Sequence, residues 1–427
     1  MSDVQELVDH LFRHRAGAMV STLTRILGPS NLDLAEDVVQ EALLKALRQW
    51  PFSGVPENPS AWLVQVAKNQ ALDVLRRGST FRDKEPEIEK WFSRVQGKEE
   101  ESGPGFQNEL ADDQLRMMFA CCHPSILPEG RLALTLKTVG GFGVSEIARA
   151  FLSEKTTVAQ RIVRAKRKLR EEDVTFGIPD PEDIPERLDS VLKVLYLMFN
   201  EGYSAHQGES LIRYDLVGEA MRLCSLVASR PATKLPKVRA LLALMLLQAA
   251  RLAGRVDPRD GSLCLLPDQD RGRWDRALIE RGLYELSHAA EGSELTEYHL
   301  QAGIAACHSV APTYETTEWS KILSLYDSLL ELAPSPVVVL NRAVAVSMIH
   351  GPQAGLDELS GLESDPFLGR YYLFNAARAE LYSRKGDLDR AETFFRKALE
   401  LPCTGPERRF LKKKLAGCRE SLGRRSK

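Results

Sequence analysis

Apolar positions recur along almost the whole chain at intervals of three and four residues, the period of a helix that keeps one face dry. Leu7, Val8, Leu11, Phe12, Met19, Leu23 and Ile26 predict one helix over residues 5–27, stopped by Gly28-Pro29. A second begins near Asp33. It sorts into an apolar face of Leu34, Val38, Ala42, Leu43 and Leu47 and an acidic face of Asp33, Glu36, Asp37 and Glu41, with Trp50-Pro51 as its end. A third, AWLVQVAKNQALDVLRR, turns Trp62, Val66, Leu72 and Leu75 inward and Lys68, Asn69, Asp73, Arg76 and Arg77 outward, with Ser60 as its cap. Residues 1–78 thus form a small bundle with one acidic flank and one polar, basic flank.

The pattern lapses over residues 79–111, where Glu99-Glu100-Glu101 and Gly103-Pro104-Gly105 read as an acidic flexible linker. Helical spacing resumes over residues 112–172. There QLRMMFACCHPSILPEGRLALTLKTV predicts two helices around a turn. The following stretch, Gly143 to Arg170, predicts a helix-turn-helix: Ile147, Ala148 and Phe151 mark one stripe, Val158, Ile162 and Ala165 the other, and the bend falls at Leu152-Ser153. A proline-spaced linker over 173–187 leads into residues 188–427. Helices are expected there over 188–199, 211–225, 235–252, 274–288 and 296–308, with at least four more beyond. Within 313–402, Ala379, Tyr382, Gly386, Ala391, Phe395, Ala398 and Pro402 fall close to the tetratricopeptide pattern of paired antiparallel helices, and a more degenerate unit precedes them. The fold class is therefore all-α: two small bundles, then a helical repeat domain offering a concave surface to a protein or peptide.

Charge narrows the partners. Lys and Arg total 57 against 59 Asp and Glu, so the net charge of -2 excludes a uniformly basic, nucleic-acid-coating protein. Any contact with nucleic acid must come from a local cluster. One follows the bend, where Lys155, Arg161, Arg164, Lys166, Arg167, Lys168 and Arg170 crowd a single helix that starts with Glu154, Thr156 and Thr157 nearby. A helix entering the major groove reads base edges near its N-terminus and lays its cations along phosphates. A solvated amphipathic hairpin is the plainer alternative. Seven cysteines without C-x-x-C spacing point to free thiols in a reducing compartment, the cytoplasm. Cys121-Cys122-His123 read as core thiols before a turn, because adjacent cysteines do not easily share one tetrahedral ion, so no metal or cofactor is expected. The longest apolar run, about 240–250, is far short of the roughly 20 residues a bilayer requires, and no membrane partner is expected.

AEDVVQEALLKAL followed by NPSAWLVQVAKNQALDVLRR resembles regions 2.2 and 2.4 of bacterial sigma factors of the extracytoplasmic-function group, and TTVAQRIVRAKRKLR is similar to their region 4.2. The three motifs stand in the family's order. This resemblance implies a promoter-specificity subunit and not an enzyme, with core RNA polymerase and promoter DNA as partners. It implies that Asp33, Glu36, Asp37, Gln40 and Glu41 dock on the polymerase clamp helices. It places Asn69 at a base of the minus-ten strand, with Lys68, Asp73, Arg76 and Arg77 beside it. At the minus-35 element it implies Lys155, Thr156, Thr157, Gln160 and Arg161 near bases, with Arg164 and Lys168 on phosphates. A subgroup of the family carries a tetratricopeptide-like C-terminal extension thought to control activity, and FNEGY and LLPDQDRGRWD look like its marker segments. Asn200, Glu201, Tyr203, Asp268, Gln269, Asp270, Arg271 and Trp274 are accordingly candidates for a regulatory interface, formed with the sigma domains or with a regulatory protein. A structural reading makes Asp268 a helix cap and Arg271, Arg273 and Asp275 ion-pair partners. Two rivals stand beside the sigma factor: a polymerase-independent helix-turn-helix regulator whose repeats sense a ligand or peptide, and an enzyme using Glu201, Asp268 and Asp270.

Overall fold

The computed structural model describes residues 16–77, 86, 104–151, 153–172, 174–205 and 208–425, and among them it contains α-helices and short 3-10 turns with no β-strand. Contacts divide the chain into two compact units at Met198 and Phe199. The first holds α1 (Gly17–Leu27), α2 (Leu32–Ser53), α3 (Pro59–Arg77), α4 (Pro104–Cys121), α5 (Pro128–Thr138), α6 (Val144–Ala150) and α7 (Lys155–Glu171). Helix α8 (Ile184–Tyr203) crosses the division.

Helix α1 is buried almost all round, because α2, α4 and α5 each pack against it. Its buried hydroxyls are satisfied within the helix: Ser21, Thr22 and Thr24 donate to the carbonyls of Gly17, Ala18 and Val20. Gly17 permits the closest approach, since a Cβ there would run into the carbonyl oxygen of Val139. The two small bundles therefore share a core within the first unit. Residues 5–15 of the expected first helix lie outside the described residues.

Several boundaries and faces differ from expectation. Helix α2 continues through Pro51 to Ser53 and stops at Gly54, whose φ of 81° is where a side chain would be strained. A proline in the last turn forfeits only one backbone bond, so Trp50-Pro51 does not end the helix. Its buried face includes Ala35, Val38, Val39, Ala42, Leu43, Ala46 and Trp50, so Val38, Ala42 and Leu43 lie where expected, while Leu34 and Leu47 are half-buried. On α3 the buried residues are Leu63, Ala67, Ala71 and Leu72, with Val66 half-buried. Leu75's side chain lies outside the described part. Helix α3 opens at Pro59, which puts Ser60 inside its first turn rather than at its cap. Trp62 meets Trp50 edge-on, ring centres 5.3 Å apart. Helix α4 begins at Pro104 and α8 at Ile184, inside the ranges 79–111 and 173–187 expected to be linkers. The start of α8 belongs to the first unit: Arg187 donates to the Phe119 carbonyl at 3.0 Å and Arg131 to the Ser190 hydroxyl at 2.8 Å.

The second unit contains α9 (Tyr214–Ser229), α10 (Pro236–Ala249), α11 (Arg276–Ala289), α12 (Glu297–Val310), α13 (Trp319–Leu332), α14 (Pro336–His350), α15 (Pro352–Ser360), α16 (Tyr372–Lys385), α17 (Leu388–Glu400) and α18 (Gly405–Arg425). Helix α10 is apolar on every side because α9, α11 and α12 surround it. From α13 onward each helix packs on its successor, as antiparallel hairpins do. In the hairpin α16–α17, Ala379, Ala391, Phe395 and Ala398 are buried, and Tyr382 stacks on Phe394 at 5.4 Å. Gly386 closes α16 in the left-handed region with φ 85°, and the Asp387 carboxylate accepts from the Arg390 N–H to open α17. Gly386→Ala is expected to cost about 1 kcal/mol, because only glycine adopts that conformation freely. Urea denaturation of the full chain followed by circular dichroism measures it.

No helix among the described residues is long and apolar enough to cross a membrane.

Candidate nucleic-acid interface

The helix-turn-helix is built from local capping and one apolar seam. The Gly143 N–H donates to Glu146 Oε2 at 2.7 Å and starts α6; Phe151 ends it, and the Ser153 N–H returns to the Ala148 carbonyl at 2.9 Å. Leu152 lies outside the described residues. Helix α7 buries Val158, Ile162, Ala165 and Leu169 and packs on α5 and α6. That seam leaves Lys155, Thr156, Gln160 and Arg164 exposed and Thr157, Arg161 and Lys168 half-buried. Arg161 reaches the Ser153 hydroxyl at 3.4 Å, and Lys168 pairs with Glu171 at 3.0 Å and Glu172 at 3.7 Å.

Two cations in the far half of α7 reach across the unit. Lys166 Nζ lies 2.6 Å from Asp33 Oδ1 and 3.0 Å from Glu36 Oε2, and Arg170 donates to Asp33 Oδ2 at 2.9 Å. Glu36 is 7 % exposed, and its other oxygen accepts from the Thr138 hydroxyl at 3.1 Å. Burial pushes the Asp33 carboxyl up, but the hydrogen bonds and charges of Lys166 and Arg170 outweigh it and hold the group below its usual range. Burial likewise pulls Lys166 down, and Glu36 and Asp33 together raise it above its usual value. The acidic row on α2 is thereby split: Asp33 and Glu36 are engaged by α7, while Asp37 is exposed and Gln40 and Glu41 are half-buried.

Lys166 and Arg170 were legible only as part of a basic cluster. Their four-residue spacing matches the Asp33–Glu36 stripe, but nothing local says that partners 133 residues apart will meet.

On α3, Asn69 is exposed and its Oδ1 accepts from Gln65 Nε2 at 3.1 Å; Asp73, one turn later, is exposed as well. The side chains of Lys68, Arg76 and Arg77 lie outside the described part.

Cys121 and Cys122 are buried, and burial raises both thiols, Cys122 to about 11 despite its contact with Thr135. Among the described residues no group of three or more His, Cys, Asp or Glu could hold a metal ion.

In the second unit the two marker segments meet through two arginines that sequence reading overlooked. The Arg255 guanidinium stacks 3.8 Å over the Tyr203 ring and donates to the Tyr203 carbonyl, while Arg251 reaches the Tyr203 hydroxyl at 3.5 Å. Trp274 is 4 % exposed, with Arg271 at 4.5 Å and Arg251 at 5.9 Å from its ring. Arg271 donates to the carbonyls of His308 and Ala311, both at 2.7 Å. Gln269 donates to the Cys264 carbonyl at 3.1 Å. As a surface for a partner this set shrinks, because Glu201, Tyr203, Arg271 and Trp274 are built into the fold; Asn200, Asp268 and Asp270 remain exposed. The helix caps are Asp270 and Asp275, whose carboxylates accept from the N–H groups of Gly272 and Leu278, and not Asp268, which ends a short 3-10 turn.

Residues 11–80 match the family model described as Sigma-70 region 2, and residues 187–290 match a family of unknown function, DUF6596. An uncharacterized protein of Rhizobium meliloti is 38% identical over 405 residues, covering 93% of this chain and 94% of that protein. The ECF RNA polymerase sigma factor SigL of Mycobacterium tuberculosis is 31% identical over 137 residues, 32% of this chain and 72% of SigL. The probable ECF RNA polymerase sigma factor SigI of the same species is 26% identical over 217 residues, 48% of this chain and 72% of SigI. No solved structure matches. Region 2 at the N-terminus, a basic helix-turn-helix behind it and the likeness to SigL together place the chain: it belongs to the extracytoplasmic-function group of the sigma-70 family of RNA polymerase sigma factors, and it carries a C-terminal extension.

Proposed function

We propose that this sigma factor docks on core RNA polymerase through α2, holds the melted minus-ten strand along α3 and reads the minus-35 duplex with the N-terminal half of α7. It makes and breaks no bond, and it works in the cytoplasm, where polymerase is. The observation that carries this reading is the division of α7: its first half presents Lys155, Thr156, Gln160 and Arg164 outward, while Lys166 and Arg170 fasten Asp33 and Glu36. A chain fastened in this way hides part of its acidic docking face and ties one end of its recognition helix. Polymerase would compete with Lys166 and Arg170 for those carboxylates, so docking and release of α7 become one event. The C-terminal helices regulate this step, through the exposed Asn200, Asp268 and Asp270 or through the concave face of the hairpins.

Run-off transcription with core polymerase and the full chain tests the reading. Gln160→Ala is expected to weaken recognition at one minus-35 base pair by about 1–3 kcal/mol while leaving polymerase affinity unchanged. Arg164→Ala should weaken binding on all sequences alike and lower the salt dependence. If the purified chain forms no holoenzyme with core polymerase, the reading is wrong.

A further inference from the structure

The second unit holds a cavity of about 440 Å³ between α13, α14 and α16, lined also by His308 of α12 and Phe410 of α18. Its wall is mainly apolar and ring-rich, with Trp319, Tyr326 and Leu340 prominent. Its roof is the segment Leu263–Pro267, which belongs to the second marker stretch and which none of the promoter chemistry uses. That roof is anchored: the Leu263 N–H donates to the Pro406 carbonyl at 3.0 Å, Arg409 donates to the Gly261 carbonyl at 2.9 Å, and Asp260 pairs with Lys413 at 3.3 Å.

Three side chains on this cavity carry a buried polar atom with no partner among the described residues: Trp319 Nε1, His308 Nδ1 and Glu380 Oε2. The other Glu380 oxygen accepts from Lys414 at 3.0 Å. Burial, with the charges of Arg251 and Arg271, lowers His308 to about 3, so its imidazole is neutral. Each such orphan costs about 1–3 kcal/mol, and native folds keep few of them. Three at one concavity of ligand size, walled by aromatic rings, match the make-up of small-molecule sites: an apolar body with a few convergent polar groups.

We propose that this cavity binds a small, mostly apolar, ring-bearing molecule that places one N–H or O–H donor on the free Glu380 oxygen and one acceptor at the Trp319 indole. The proposal stands apart from the promoter reading and does not need it. N-phenyl-1-naphthylamine, a neutral aromatic with a single N–H whose fluorescence rises in apolar surroundings, is the probe. Titrated into the full chain, it should bind saturably at one site. Ala376→Trp fills the cavity and should weaken binding at least about tenfold with the helical melting curve retained; Val344→Trp, at the exposed mouth, serves the same purpose if Ala376→Trp does not fold. Glu380→Leu should weaken the probe about fivefold or more, but not its carbon isostere 1-benzylnaphthalene measured by displacement. A linear, unsaturable signal overturns the proposal. So does saturable binding that a folded cavity-filling variant leaves unchanged, or an equal loss of probe and isostere on Glu380→Leu.

Discussion

Asp37→Lys combined with Glu41→Lys is expected to weaken binding to core RNA polymerase by at least about 100-fold while leaving the melting temperature of the chain within a degree or two. Reversing one member of a close interfacial charge pair costs about 2–5 kcal/mol, and here two adjacent carboxylates are reversed on one helix face. The fold is spared because the carboxylates that fasten α7 are Asp33 and Glu36, a turn earlier on α2. Fluorescence anisotropy of labelled chain against core polymerase reads the loss, and circular dichroism checks the fold. Undiminished binding would remove the exposed acidic face from the docking surface.

Lys166→Met, by contrast, should lower the stability of the chain itself. The Lys166 side chain is 11 % exposed and that of Glu36 is 9 % exposed, so removing the ammonium strands a buried carboxylate beside the Thr138 hydroxyl. Breaking such a pair from one side costs about 3–5 kcal/mol, whereas replacing both members by apolar groups is often nearly neutral. Urea denaturation should therefore show a large loss for Lys166→Met and recovery of most of it in Lys166→Met with Glu36→Leu. An unchanged midpoint in the single variant would mean that α2 and α7 are not fastened in solution.

The same contact sets a pH window. Asp33 titrates below its usual 3.8, so its contribution is complete above that value and is lost as the pH falls through the depressed one. Lys166 titrates above its usual 10.5, so its contribution is complete below that value and is lost as the pH rises beyond it. Fastening is thus intact throughout the neutral range. Melting curves of Asp33→Asn should lack the part of the acid limb that this carboxylate supplies.

Helix periodicity is a local property, which is why most elements could be read in order before any contact was known. The helix-turn-helix falls where its two apolar stripes put it, and the expected helices at 188–199, 211–225, 235–252, 274–288 and 296–308 each correspond to an observed helix, differing at the ends. Faces were harder. On α2 and α3 the expected Val38, Ala42, Leu43 and Leu72 are buried, but so are Ala35, Ala46, Ala67 and Ala71, while the larger Leu34 and Leu47 are only half-buried. Close helix contact selects small side chains, which a hydrophobicity pattern weighted toward leucine underrates. The marker segments show a related limit: Tyr203 and Trp274 looked available to a partner, but arginines 52 and 23 residues from them in sequence lie over their rings.

From the chain alone come the all-α class and the succession of helices, because propensity, capping and amphipathic period act over a few residues at a time; the roles toward polymerase and promoter were implied by the family resemblance and not by that pattern. Only the tertiary structure decides which of those residues face outward. Whether Asp33 and Glu36 meet Lys166 and Arg170, and whether Leu263–Pro267 roofs a cavity, depends on packing that brings together segments more than a hundred residues apart or several helices distant. Coulomb attraction and desolvation act through space, and the order of residues does not encode them locally.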